Sequence, residues 1–496
     1  MDELRRLVSL IAERGVKASP LINQQDEDNL ETKLFNLIKN EQVTSDVDAA
    51  EMLYGDKNVS ANYRMLKSRM RKKLLNHLHF IEFSSSKFNL VSIESYKLQA
   101  MLLEAHALLV SDEYRIADKL LTQAIVLAKA NQVTSCIVRA LEKKLVIHSN
   151  IINKKAYLEA KEELQYYYKI EAQEKEAASL FQLAHIELSS SLSERNAYLY
   201  KIPAVLEQIH KLWLSSKSPV IYNLFHILSI HFLELKGDFL AVSDAVARAE
   251  KLLEQGHIQP NRYNYKYNAF IHIYALLRTR QYEEGLILAQ DYLQLFEPQA
   301  VNWFAFMENY LLLAMHSGNY KLAGELLQRS LASDYVNTIQ NTAKERWELY
   351  RRYLLLMHSI MPSLDVVNLP QGVLAELVML PKDKAGYNLS LLVLDTIKSF
   401  LNRKVDDYES HAERVRKYIT KYLRGEKAER PRLFLRLLLL VIKEDLHPVR
   451  ARAKGQKLYE KLKQTLPPGD AFAEVEIIPY EHLWDLVLKV LEHRAA

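Results

Sequence analysis

The chain has 496 residues, of which 49% are hydrophobic and 26% charged, with only 12 Gly and 13 Pro. So few glycines and prolines exclude collagen-like, low-complexity and turn-rich all-β classes, and the length exceeds what one globular core accommodates. Lys and Arg total 66 against 61 Asp and Glu, a net +5 that is concentrated rather than spread. Residues 57–90 carry +7, with Glu82 their one acid, and residues 402–463 carry +9, leaving −11 on the rest. Two basic segments on an otherwise acidic chain suit nucleic acid, acidic partners or anionic surfaces, and solvated faces of amphipathic helices are the plainer account of such runs.

The N-terminal MDELRRLVSLIAERG is charged throughout and lacks the apolar stretch of a signal peptide. The longest apolar run, 437–442, is far too short to span a bilayer. A soluble, cytoplasmic chain without membrane contact is expected. Residues 30–38, 47–54 and 60–77 read as three helices, with Gly55-Asp56-Lys57-Asn58 as the turn before the third. In that third helix Tyr63, Leu66, Met70 and Leu74 form one inward stripe. Arg64, Lys67 and Arg71 face outward, with Arg69 and Lys72 to one side. Residues 79–83 and 88–91 would follow as a short β-hairpin.

The segment AAEMLYGDKNVSANYRMLKSRMRKKL resembles the helix-turn-helix of bacterial winged-helix regulators, with a short apolar helix, a Gly/Asp turn and a basic helix. The resemblance implies that Arg64, Lys67, Arg69, Arg71 and Lys72 contact DNA phosphates and base edges. Small three-helix modules with basic helices also serve as protein-docking platforms, and both readings stand.

From Tyr96 onward, apolar residues recur at i, i+3, i+4 and i+7 between polar gaps of two to six residues. Leu102, Ala105, Leu108 and Leu109 give one such face, answered by Ala117, Leu120, Leu121 and Ala124 on the next helix. The fold class is all-α. Cys136, in the helix expected at 133–145, is a core residue, and a single cysteine excludes an intrachain disulfide or a thiolate zinc cluster.

A long helical chain invites a search for repeats. An aromatic residue opens the second helix of a pair at Tyr114, Tyr157, Tyr198, Phe239, Tyr282 and Tyr320, at intervals of 43, 41, 41, 43 and 38. Three residues later stand Ala117, Ala160, Gly285 and Ala323, and ten residues later Ala124, Ala249 and Ser330. Gly237 and Gly318 precede their aromatics by two residues, where a tight turn needs them. Small residues let two helix axes approach while the aromatic fills the space near the turn, and each hairpin buries against the next.

LKGDFLAVSDAVARAEKL and HSGNYKLAGELLQRSLAS resemble the turn and second helix of tetratricopeptide repeats, over roughly 96–335, with a further weak unit at Tyr408. The period is near 41, and the family's first-helix tryptophan position is not regularly filled. The resemblance implies a right-handed α-solenoid of stacked helix hairpins that binds a protein or peptide along its concave surface.

After residue 335 the rhythm loosens, with three prolines at 362, 370 and 381. Helical pattern resumes at 389–401, 408–423, 431–443 and 447–466. Residues 474–478 alternate with period two, the clearest strand-like stretch. A last amphipathic helix at 480–493 carries Leu483, Trp484, Val487, Leu488 and Leu491 and reads as a cap. The organisation expected is an N-terminal helix-turn-helix-like module at 1–90, repeats at 91–340 and degenerate repeats with a cap at 341–496.

No phosphate-loop, dinucleotide, nucleophile-elbow or HExxH pattern occurs. His226, His231 and His272 read as satisfied helix-face residues. The acidic pairs Asp112-Glu113, Glu283-Glu284 and Asp406-Asp407 stand where helices begin, which the macrodipole favours. The 28 tyrosines, dense at Tyr166–Tyr168 and Tyr263–Tyr274, suit repeat interfaces or a recognition groove. No catalytic residue, cofactor or metal is expected. The sequence points to a non-enzymatic scaffold, adaptor or sensor for a protein or peptide, with a DNA-binding regulator as the alternative.

Overall fold

The computed structural model describes residues 2–14, 21–23, 25–26, 28–81, 90–258, 260–361, 387–401, 407–424, 428–465 and 476–495. The chain divides into two compact units, Met1–Glu176 and Ala177–Ala496. The first contains α1 (Asp2–Arg14), α2 (Leu30–Lys39), α3 (Asp46–Tyr54), α4 (Ala61–His77), α5 (Leu90–Val110), α6 (Tyr114–Ala130) and α7 (Thr134–Asn150). The boundary falls inside α8 (Lys154–Ser189). The second unit continues with α9 (Leu192–Tyr198), α10 (Ile202–Ser216), α11 (Pro219–Lys236), α12 (Phe239–Glu254), α13 (Tyr265–Arg278), α14 (Tyr282–Tyr292), α15 (Val301–His316) and α16 (Tyr320–Leu331). It ends with α17 (Asn341–Ile360), α18 (Tyr387–Leu401), α19 (Asp407–Tyr422), α20 (Glu429–Lys443), α21 (Pro448–Gln464) and α22 (Tyr480–Ala495).

The protein is all-α, and no strand occurs among the described residues. Within each unit most helices pack on their chain neighbours, as in a solenoid: α5 on α6 and α6 on α7, then α10 through α16 in succession and α16 through α22 likewise. The period-two stretch is not a strand where it is described, because Ile477 and Ile478 are buried in a bend before α22. The expected hairpin is also absent at its described ends. His79 and Phe80 lie in a 3₁₀ turn, Leu90 and Val91 open α5, and 82–89 lie outside the described residues. Residues 362, 370 and 381 also lie outside them.

Six junctions of two or three residues share one turn, which also closes α2 at Glu41 and α12 at Gly256 before longer loops. After α5, α6, α7, α11, α13 and α15 the chain passes through a single left-handed residue: Asp112, Gln132, Ile152, Gly237, Arg280 and Gly318, with φ between 54° and 80°. In each case that residue's N–H donates to the carbonyl three positions back and the next N–H to the carbonyl five back, as in Gly237 to Glu234 with Asp238 to Leu233. Asn153, Asp238 and Asn319 then cap the next helix, each side chain accepting from an N–H three residues on. The scarcity of glycine thus has a structural counterpart, since four of six such positions hold side chains. For a β-branched residue the left-handed region costs about 1 kcal/mol or more. Ile152 is 89% exposed, so removing its side chain gives up little packing. Ile152→Gly is therefore expected to raise the stability of the α7–α8 junction by about 1 kcal/mol, and Gly237→Ala to lower that of its own by a similar amount. Hydrogen exchange at each junction reads both, and a destabilised Ile152→Gly would refute the strain account.

The repeat positions divide by role. Ala117, Ala124, Ala160 and Ala323 are buried at helix contacts, and Tyr198, Phe239 and Tyr320 are buried beside them. Tyr114, Tyr157 and Tyr282 are half-buried. At Gly285 a Cβ would come within 2.7 Å of Leu313 Cδ2, so α14 crosses α15 too closely for any side chain without movement of Leu313. Tyr114, Phe239, Tyr282 and Tyr320 each open a helix, as expected. Tyr157 and Tyr198 do not: Tyr157 is the fourth residue of the 36-residue α8, and Tyr198 closes α9. No breaker interrupts 154–189, and Ala177, Ala184 and Leu188 bury a second stripe on the same rod.

Candidate functional site

The N-terminal module has its own small core. Leu34 of α2, Ala49 and Ala50 of α3, and Tyr63, Leu66 and Met70 of α4 are buried together with Ile22. The inward stripe expected on the third helix is therefore present, with Leu74 half-buried at its end. Between α3 and α4, Gly55 takes a left-handed conformation, Asp56 accepts from the N–H of Asn58, and Ser60 caps α4 by accepting from the N–H of Tyr63. Asp46, in the first turn of α3, ties the two helices: it accepts from Tyr63 Oη at 3.0 Å and from Lys67 Nζ at 2.6 Å. Lys67 holds the Asp46 carboxyl below its usual range, and burial followed by Asp46 pushes the Tyr63 phenol up to about 12.

Arg64, Lys67, Arg69, Arg71 and Lys72 are all exposed on α4. They are not equivalent. Lys67 is engaged by Asp46, while Arg69 lies 3.7 Å from the buried Glu31, which also receives Lys73 at 2.6 Å. Arg64, Arg71 and Lys72 have no carboxylate partner among the described residues. An exposed pair such as Lys67–Asp46 is worth only about 0–1 kcal/mol, so Lys67 can exchange its carboxylate for another anion, whereas the carboxylate facing Arg69 is buried.

Helices α11 to α14 enclose a polar seam whose connections no local pattern marks. A ring nitrogen of His226 stands 2.6 Å from Asn268 Oδ1. Tyr292 Oη donates to Glu250 at 3.1 Å, so His272 Nδ1 is the donor toward Tyr292 (3.4 Å), and Ser243 Oγ donates to His272 Nε2 (3.1 Å). Burial lowers the pKa of both histidines, which keeps them neutral. The order hydroxyl, imidazole, acid is that of an activated nucleophile. Ser243, however, lies inside α12, where neighbouring N–H groups are bonded along the helix and supply no oxyanion donors. The seam satisfies buried polar groups between repeats. Cys136 is likewise a core residue: it is buried, Gln99 Nε2 donates to its sulfur at 3.4 Å, and burial pushes its thiol up.

Glu234 on α11 carries a shifted carboxyl, which burial raises to about 7. A carboxyl raised in the folded state stabilises below its unfolded value near 4.5 and loses that advantage as pH rises toward 7. Glu234→Gln is accordingly expected to be neutral near pH 4 and stabilising by about 2 kcal/mol near pH 8. Thermal unfolding at the two pH values tests this, and an equal effect at both would rule out titration of Glu234.

Among the described residues no group of three His, Cys, Asp or Glu side chains could hold a metal ion, and no helix is long and apolar enough to cross a membrane. Compared with known proteins, the chain matches no family model and no curated protein sequence.

Proposed function

We propose that this chain is a non-enzymatic adaptor, tetratricopeptide-like in its middle, whose stacked helix pairs bind a protein or peptide partner. The observation that carries the reading is the recurrence of one turn geometry at six junctions, which stacks neighbouring helix pairs within each unit. The buried polar seam supports it as well, because its groups are committed to one another. The test is affinity purification from the native host followed by direct titration with the purified partner. A near-stoichiometric partner is expected. A folded chain that recovers none, or that turns over a substrate in a hydrolase panel, would overturn the reading.

A second reading is favoured by α4. We infer that residues 44–80 serve as a helix-turn-helix touching DNA, since Arg64, Arg71 and Lys72 are exposed and unpaired on a helix whose opposite face is buried. A duplex shift that weakens steeply with salt and vanishes in Arg64→Glu/Arg71→Glu/Lys72→Glu is expected. No shift of any duplex at low salt removes this reading.

A further inference from the structure

The second basic segment contains a built groove that neither reading uses. Arg414, Lys417 and Lys421 fall at i, i+3 and i+7 on α19, sharing a face about 10 Å long at 1.5 Å per residue, and Arg424 continues the line past the helix end. Beside them runs a groove of about 670 Å³ whose lining includes Arg416 and, among the described residues, no acidic one. Its floor is apolar: Leu392 of α18 is buried, and Tyr418 is only 7% exposed.

Part of this charge is answered internally. Glu413 takes Lys417 at 2.6 Å, and Asp395 lies 3.9 Å from Arg414. Among the described residues Arg416, Lys421 and Arg424 form no ion pair within 4 Å, although the Arg416 charge also helps to lower the Glu413 carboxyl. Arg424 is positioned instead by its Nε, which donates to the Thr420 carbonyl at 2.9 Å, and the Lys421 ammonium stands 5.2 Å from the Tyr422 ring centroid. The negative end of the α19 macrodipole accounts for Lys421 and Arg424, but not for Arg414 or Arg416 some two turns earlier.

We propose that this groove binds an extended acidic peptide segment of a partner protein, an inference that rests on the adaptor reading and names the partner's chemistry. Five cations with no acid among the described lining residues make the groove complementary to a run of carboxylates. Single-stranded nucleic acid, the other polyanion of suitable width, binds by stacking bases on open aromatic faces. Here Tyr418 is buried and packs edge-on against Tyr422 at 5.1 Å, while Lys421 covers Tyr422, so both rings are already engaged.

The experiment uses the full chain and fluorescence anisotropy with a labelled peptide of alternating Asp and Glu, beside an Asn-Gln peptide and a thymidine oligonucleotide of matched charge. The acidic peptide alone is expected to bind, with affinity falling as salt rises from about 50 to 300 mM. Arg416→Glu/Lys421→Glu/Arg424→Glu should weaken it roughly tenfold or more, whereas Arg64→Glu/Arg71→Glu on α4 should not. The Gln versions of the same three positions should give an intermediate loss, which separates charge from misfolding. No binding of the acidic peptide, equal binding by the reversed variant, or tighter binding of the oligonucleotide through these residues would overturn the proposal. A native partner whose binding ignores the triple reversal would defeat the groove and leave the adaptor reading intact. Peptide binding without any native partner would do the opposite.

Discussion

Arg430→Ala is expected to destabilise the C-terminal helices by about 3–5 kcal/mol, among the largest effects any single substitution in this chain should have. Arg430 is 1% exposed at the start of α20, and all of its donors are used. Nε and Nη2 reach Glu476 at 2.7 and 3.0 Å, Nη2 also reaches Glu481 at 2.8 Å, and Nη1 donates to the Leu462 and Thr465 carbonyls at 2.9 and 2.6 Å. One side chain therefore fastens the end of α21 and the start of α22 to α20. Removing it strands two shielded carboxylates, and that uncompensated charge is the source of the cost. Burial alone would raise the Glu481 carboxyl, but the hydrogen bonds and charge of Arg430 hold it below the usual range. A lowered carboxylate stabilises above its unfolded pKa and loses that contribution as pH falls, so the penalty of Arg430→Ala should shrink below about pH 4. Arg430→Met combined with Glu476→Gln and Glu481→Gln should recover most of the loss, because no charge is then left unpaired. Native-state hydrogen exchange in α20 and α22 measures both variants. Equal destabilisation by the single and triple variants would show that lost packing, not stranded charge, is at work.

Trp484→Ala should cost about 3–5 kcal/mol by the cavity it leaves. Trp484 is 2% exposed on α22, which packs against α18, α20 and α21. Its ring fills the space that Gly455 keeps open on α21: a Cβ at Gly455 would come within 3.2 Å of Trp484 Cζ2 and of Leu437 Cδ2. Gly455→Ala alone should therefore strain this contact, whereas in the Trp484→Ala background the added methyl occupies part of the cavity. The double variant is expected to be more stable than the two single losses predict. Strict additivity in thermal unfolding of the two singles and the double would mean that α21 and α22 do not meet through this pair.

Both effects arise where the chain departs from a simple linear stack. One continuous core runs from Ala269 to Leu491, and the segment before α22 returns to the repeats: His316 of α15 bonds the Glu476 carbonyl, and Arg280 lies 3.8 Å from Glu481. Burial first lowers His316 to about 4, so it acts there as a neutral imidazole. The terminal helix was legible as amphipathic, and Leu483, Trp484, Val487, Leu488 and Leu491 are all buried. Its partners were not legible, because Arg430 pairs with acids 46 and 51 residues away and no periodicity marks such a distance. The α19 groove was similarly half visible: the charge run and the i, i+4 pairing of Lys417 with Glu413 are local, while the approach of Arg414 to Asp395 of α18 depends on a neighbouring helix.

By itself the sequence determined that the chain is all-α, the approximate span of several helices, and which stripe of α4 turns inward. Those are local matters, decided by a 3.6-residue apolar rhythm, by capping side chains and by the absence of breakers. Only the tertiary structure decided that 154–189 is one rod, that left-handed turns are filled by Asp112, Gln132, Ile152 and Arg280 as well as by glycine, and that α22 closes onto α18 and α20. Each of those outcomes rests on burial shared between residues distant in the chain. Packing of that kind overrides the preference of any single position, and no window of sequence contains it.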